Sequence, residues 1–220
     1  HPKAPGSSSA NNKKEEKLWA NIKNLEKLDI LRVENCCYYR ISELVNLKEL
    51  SLFIEGSEVS MFREMVGKEK QIDATQTTYD LCHFILKDLT NLRYLDMTLG
   101  DLTHLDKKLI GKLTNLTCLS LIVNKLQEEI DYDTFDSLVN LEEIALKFIE
   151  IKKFNRLFLK LDKLAYLNLS CTYLPDLMDS CFNFKSLETF YSGNKKNDIL
   201  VYFYRKRNAE KSKQPICTPD

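Results

Sequence analysis

The sequence is poor in the residues that break regular structure. Only 6 of its 220 residues are glycine and 5 are proline, which excludes a collagen-like repeat and a low-complexity composition. It has no surplus of charge, since 32 Lys and Arg stand against 32 Asp and Glu, and no global field therefore draws nucleic-acid phosphates or anionic lipid. Long apolar runs are missing too. The greasiest stretch, ILVYFY at 199–204, falls far short of the roughly 18 residues needed to cross a bilayer. Only three histidines, His1, His83 and His104, could move protons near neutral pH. There is no glycine-rich phosphate loop, no HExxH and no C-x-x-C pair, which removes the usual nucleotide and metal signatures. Cys82 and His83 are adjacent, but consecutive helical residues point about 100° apart, so they do not make a nucleophile and base. His104 and Asp106 are expected in a solvated turn. A non-enzymatic protein without cofactor or metal is expected, one that binds no nucleic acid and does not insert into a membrane.

What the sequence does have is 44% apolar residues, enough for a large core, and they are patterned. In LTNLTCLSLIVNKL at 113–126, Leu113, Leu116 and Leu119 fall three apart, whereas Leu119 and Leu121 alternate as in a strand. The same phrase recurs as LEKLDILRV from Leu25, LVNLKELSL from Leu44, LTNLRYLDM from Leu89, LVNLEEIAL from Leu138, LDKLAYLNL from Leu161 and a worn FKSLETFYS from Phe184. From Leu89 onward the starts lie 24, 25, 23 and 23 residues apart. A fixed stride of this size marks a repeat architecture.

These copies resemble the leucine-rich repeat family, whose signature is L-x-x-L-x-L-x-x-N/C-x-L, over roughly residues 14–200. The resemblance implies an α/β solenoid of seven to eight repeats, with a curved parallel sheet on the concave face and short helices on the convex face. Alternation puts Leu119 and Leu121 inward and Ser120 outward. Helical return arms are expected at 79–89, 106–113, 132–138 and 154–161. The N/C slot, where the family turns the chain with a ladder of side-chain hydrogen bonds, holds Cys36, Gly100, Asn124, Ile149 and Thr172, so the regularity of these turns is in doubt. Residues 53–78 hide either a degenerate repeat with KQIDAT as its strand, the preferred reading, or an insertion with a helix at SMFREMV.

The domain plan has three parts: a flexible leader at 1–13, the repeat domain at 14–200 opened by a capping helix at about 14–28, and a cap with a basic tail at 201–220. Asn197 is placed as a helix cap before the apolar block that seals the last repeat. Opening on His rather than Met, the chain reads as a processed product or a piece of something longer. Seven cysteines, an odd count without the end clusters of secreted family members, fit free thiols in a reducing compartment, with Cys36 a buried structural residue, and the expected location is cytoplasmic.

Outward slots of the strands are free to carry function. The last slot gives an apolar row of Ile54, Leu99, Val123, Phe148 and Cys171. With Tyr94 and Tyr166 as aromatic anchors, and Phe53, Asp96, Ile122, Lys147 and Asn168 beside them, this row is expected to dock a protein or peptide. The alternative reading is that the row extends the core under the following turn. Seven strands would span about 30 Å, a standard interface. By resemblance, such modules serve as adaptors, regulatory subunits or sensors, and this one is expected to be monomeric by itself. A secreted or surface-displayed recognition protein is the alternative.

Overall fold

Each L-x-x-L step closes a turn before a strand begins. The amide of the second leucine donates to the carbonyl of the first at Leu47 to Leu44 (2.9 Å), Leu92 to Leu89 (3.2 Å), Leu116 to Leu113 (3.0 Å), Leu141 to Leu138 (3.0 Å) and Leu164 to Leu161 (3.1 Å). The chain then extends, and alternation takes over from the three-residue spacing. That is why one phrase carries two periods. The computed structural model describes residues 24–30, 41–54, 59–60, 62, 74–147, 151, 157–170, 185–193, 199–203 and 216–217.

Seven strands follow one another in a parallel sheet: β1 (Lys27–Ile30), β2 (Glu49–Ile54), β3 (Tyr94–Leu102), β4 (Cys118–Leu126), β5 (Glu143–Lys147), β6 (Tyr166–Leu169) and β7 (Thr189–Gly193). Two antiparallel strands, β8 (Ile199–Phe203) and β9 (Ile216–Cys217), complete it. Registers align the repeats residue for residue, as in Leu50↔Leu95, Leu95↔Leu119, Leu119↔Ile144 and Ile144↔Leu167. One strand per repeat, stacked in chain order with a parallel crossover at each step, is a leucine-rich repeat solenoid.

The core is a leucine column seen edge-on. Leu92, Leu95, Leu116, Leu119, Leu141, Ile144, Leu146, Leu164 and Leu167 are all fully buried. The return arms close over it. Helix α1 (Ala74–Leu86) buries Leu81, Cys82, Ile85 and Leu86, and the short α2 (Lys107–Ile110) buries Leu109 and Ile110, its N-terminus capped by Asp106 accepting from the Leu109 amide at 3.0 Å. Residues 132–137 form turns rather than a helix, with Phe135 stacked on Phe158 at 5.5 Å.

The structure corrects the expected plan at several points. β2 pairs directly with β3, so no strand intervenes at KQIDAT. Ala74 and Thr75 of that motif open α1, and residues 55–58, 61 and 63–73 lie outside the described ones. The N/C slot does not turn the chain in the two central repeats, because β3 and β4 run on through Gly100 and Asn124 to the pair Leu102↔Leu126. Asn124 is exposed there and donates to Asp101 Oδ1 at 2.6 Å, not to turn backbone. The opening strand starts at Lys27, inside the expected helix span of 14–28, and residues 14–23 lie outside the described ones. At the C-terminal end, 199–203 is an antiparallel strand along β7, not a helix. The leader at 1–13, Cys36, Phe148, Ile149, Cys171, Thr172, 154–156 and the tail residues 204–215 also lie outside the described residues.

Candidate functional site

Strand alternation puts every second side chain on the face of the sheet away from the return arms. Because the registers are locked, those side chains form straight rows. The first row runs Glu49, Tyr94, Cys118, Glu143, Tyr166, Thr189. The second runs Ser51, Asp96, Ser120, Ala145, Asn168, Tyr191, and the third Phe53, Thr98, Ile122, Lys147. All are partly or fully exposed, with Tyr94 the most open of the large apolar side chains at 36%.

Of the residues expected on this face, Phe53, Tyr94, Asp96, Ile122, Lys147, Tyr166 and Asn168 are there. Ile54, Leu99 and Val123 are not. They are 0%, 4% and 0% exposed, and they belong to the core. The strand does not end at Leu52, Met97 or Leu121, so alternation carries the next apolar residue but one inward again. The apolar row is a continuation of the interior.

At one end of the face Tyr166 and Tyr191 pack edge to face-like, ring centroids 5.6 Å apart and tilted by 52°. Asn168 is held beneath them: its Nδ2 donates to the Tyr166 hydroxyl at 3.3 Å, and its Oδ1 accepts from the Ser170 amide at 3.0 Å and from the Ser170 hydroxyl. These contacts fix the rotamers of a small aromatic and amide cluster. In the middle, the Cys118 thiol donates to Glu143 Oε2 at 3.8 Å. Burial, and then the neighbouring carboxylates Glu143 and Asp96, push its pKa up to about 11. The local potential is negative.

The turn edge carries a feature that sequence reading missed. In the phrases from Leu89, Leu113 and Leu138 the asparagine before the second leucine reaches back one repeat: Asn91 Nδ2 donates to the Val45 carbonyl (2.8 Å), Asn115 to Thr90 (2.9 Å) and Asn140 to Thr114 (3.0 Å). Just downstream one carbonyl per repeat accepts two amides from the next, as Arg93 does from Thr117 (2.8 Å) and Cys118 (3.0 Å). Asn24, Asn46, Asn91 and Asn115, with Glu26, Lys48 and Arg93, line a polar depression along this edge. The signal was visible, since the asparagine recurs in LVNL and LTNL, but the family pattern directs attention to the other end of the strand.

The thin catalytic inventory has structural roles. Cys82 is fully buried and its thiol is pushed up to about 12 by burial, so it is no nucleophile at neutral pH. His104 and Asp106, expected in a solvated turn, are instead largely buried and engaged. Asp106 accepts from the Tyr79 hydroxyl at 2.9 Å as well as capping α2, and His104 Nε2 lies 3.7 Å from its other oxygen. The His104 ring packs on Tyr79 at 4.1 Å. Burial, then the bond to Asp106, raises the Tyr79 hydroxyl well above the usual tyrosine range. The cluster ties α1, the end of β3 and α2 together. Among the described residues no group of three His, Cys, Asp or Glu is arranged to hold a metal, and no helix is long and apolar enough to cross a membrane.

No protein-family model matches the chain, and neither does any curated protein. Among solved structures it is similar to an internalin C2 from Listeria monocytogenes, at 19% identity and a TM-score of 0.46, covering 78% of this chain and 64% of that one. It is also similar to a second internalin from the same organism, at 17% identity and a TM-score of 0.36, covering 71% and 49%. The chain thus spans less than two thirds of either.

Proposed function

We propose that this chain is a non-catalytic recognition module that binds a protein or peptide partner across the outer face of its parallel sheet, as an adaptor, regulatory subunit or sensor. The observation that carries this reading is the separation of duties along each strand. Inward leucines hold the fold, while Phe53, Tyr94, Asp96, Ile122, Lys147, Tyr166 and Asn168 stand outward in register on a rigid scaffold that does not need them. Rigid tyrosines on a flat platform are the side chains that concentrate binding energy. Affinity purification with mass spectrometry tests it. A partner captured by the wild type is expected to be lost with Tyr94→Ala plus Ile122→Asp and kept with Tyr132→Ala on the return arms. Capture unchanged by the face variant removes the proposed face.

The free thiols of Cys82 and Cys118 support a reducing compartment. Thiol titration of the denatured, unreduced protein is expected to find all seven cysteines free. Several disulfides would favour the secreted or surface-displayed alternative.

A further inference from the structure

We infer that the partner taken by this face is cationic, an extended segment whose arginine or lysine heads sit on Asp96 and Glu143 while their stems lie along Tyr94 and Tyr166; this rests on the recognition reading above. The register carries the argument. Tyr94, Cys118, Glu143 and Tyr166 are consecutive neighbours across four strands, and Asp96 stands on the same face two residues along from Tyr94. Two rings therefore flank two carboxylates. A guanidinium or ammonium group suits that arrangement because it can lie on an aromatic face and pair with a carboxylate at once.

Among the described residues, neither Asp96 nor Glu143 has an ion-pair partner. Apart from Lys27 on the edge strand β1, in register with Glu49, the cations of strands β2 to β5 and the turns just before them stand elsewhere. Lys48, paired to Glu26 at 2.6 Å, and Arg93 lie on the turn edge, while Lys125 and Lys147 lie toward the other end of their strands. Lys147 is four residues from Glu143 along β5, about 13 Å. Burial first, and then the carboxylates of Glu143 and Asp96, raise the Cys118 thiol beside them. An anionic partner would be repelled from this patch.

Spacing narrows the partner further. Asp96 and Glu143 are two strands and two residues apart, so their backbone positions are separated by roughly 12 Å. That is too far to share one metal ion. An extended chain advancing about 3.3 Å per residue, with alternate side chains on the same side, places basic residues four positions apart over the two carboxylates.

The test uses the full chain and fluorescein-labelled peptides: one with two arginines four positions apart among glycines, the same peptide with glutamates, and one with adjacent arginines. The spaced arginine peptide is expected to bind best and the glutamate peptide not at all. Asp96→Asn and Glu143→Gln, which keep size and fold, are each expected to weaken it about tenfold. Glu128→Gln, an exposed carboxylate beyond the end of β4, is expected to change nothing. Absence of binding by the arginine peptide, equal binding by the glutamate peptide, or equal loss with Glu128→Gln overturns the inference. If Tyr94→Ala plus Ile122→Asp abolishes capture of the cellular partner while Asp96→Asn plus Glu143→Gln leaves it intact, the recognition face stands and its preference for cations falls.

Discussion

At the residue scale the central matter is which way a side chain points, and β4 answers it twice within two positions. Val123 is fully buried and Ile122 is open on the outer face, although both are β-branched and adjacent. Val123→Asp is expected to cost about 4 kcal/mol or more, since it buries an unpaired charge, and Ile122→Asp to cost little; chemical denaturation checks the pair. Likewise Leu119→Ala is expected to cost about 2–5 kcal/mol and Ser120→Ala less than about 0.5 kcal/mol. The inward set was legible because period two is visible from Leu119 to Leu121. Ile54, Leu99 and Val123 were placed outward at the strand ends, but each lies two residues beyond the inward Leu52, Met97 or Leu121, and the strands continue through them, so alternation returns them to the core.

Cys82 and Cys118 give a pH-dependent check at the same scale. With its pKa pushed up to about 11, Cys118 is expected to alkylate at pH 8 about a hundredfold more slowly than a free thiol, and Glu143→Gln to speed it. Cys82, pushed up to about 12, is ionised in the unfolded chain from about pH 9 but stays neutral when folded. Its contribution to stability is thus complete below pH 9 and lost as pH rises toward 12. Thermal unfolding followed from pH 8 to 11 is expected to show that loss, and Cys82→Ala to flatten it.

At the element scale the repeats are joined by more than their strands. The ladder of Asn91, Asn115 and Asn140 satisfies turn carbonyls one repeat upstream, so Asn115→Ala is expected to cost about 0.5–1.5 kcal/mol, while Asn124→Ala, whose side chain meets the Asp101 side chain and no backbone carbonyl, is expected to be nearly neutral. Equal costs for the two, read from urea midpoints, would show that the ladder belongs to the N/C slot after all. The C-terminal apolar block shows the limit of periodicity in short segments. Five residues, ILVYF, fit a buried helix turn or a strand equally well, and only their β-branched and aromatic content favours the strand observed. Its antiparallel pairing along β7 covers an edge that would otherwise present free backbone donors and acceptors.

At the scale of the whole molecule the repeats form a row in which each touches mainly its neighbours. Stability then falls toward the ends. Amide hydrogen exchange is expected to be slowest in β3, β4 and β5 and faster in β1 and β9, with no single cooperative value for all strands. The architecture at this scale was the most legible part, because seven copies of one phrase gave seven parallel strands in chain order. The outer face was less so, since its rows depend on registers between strands, and a single sequence shows the order of strands but not which residues stand side by side.

The link from β2 to β3 has a consequence for how such a protein can change. Leu50 and Leu95 are 45 positions apart and Leu95 and Leu119 only 24, yet both pairs sit side by side in the same alignment. Neighbouring layers are matched by their edges, not by the length of cord between them. The back of the coil is therefore a permissive place for new sequence to accumulate, and whole modules could be spliced in there while the working front keeps its pattern.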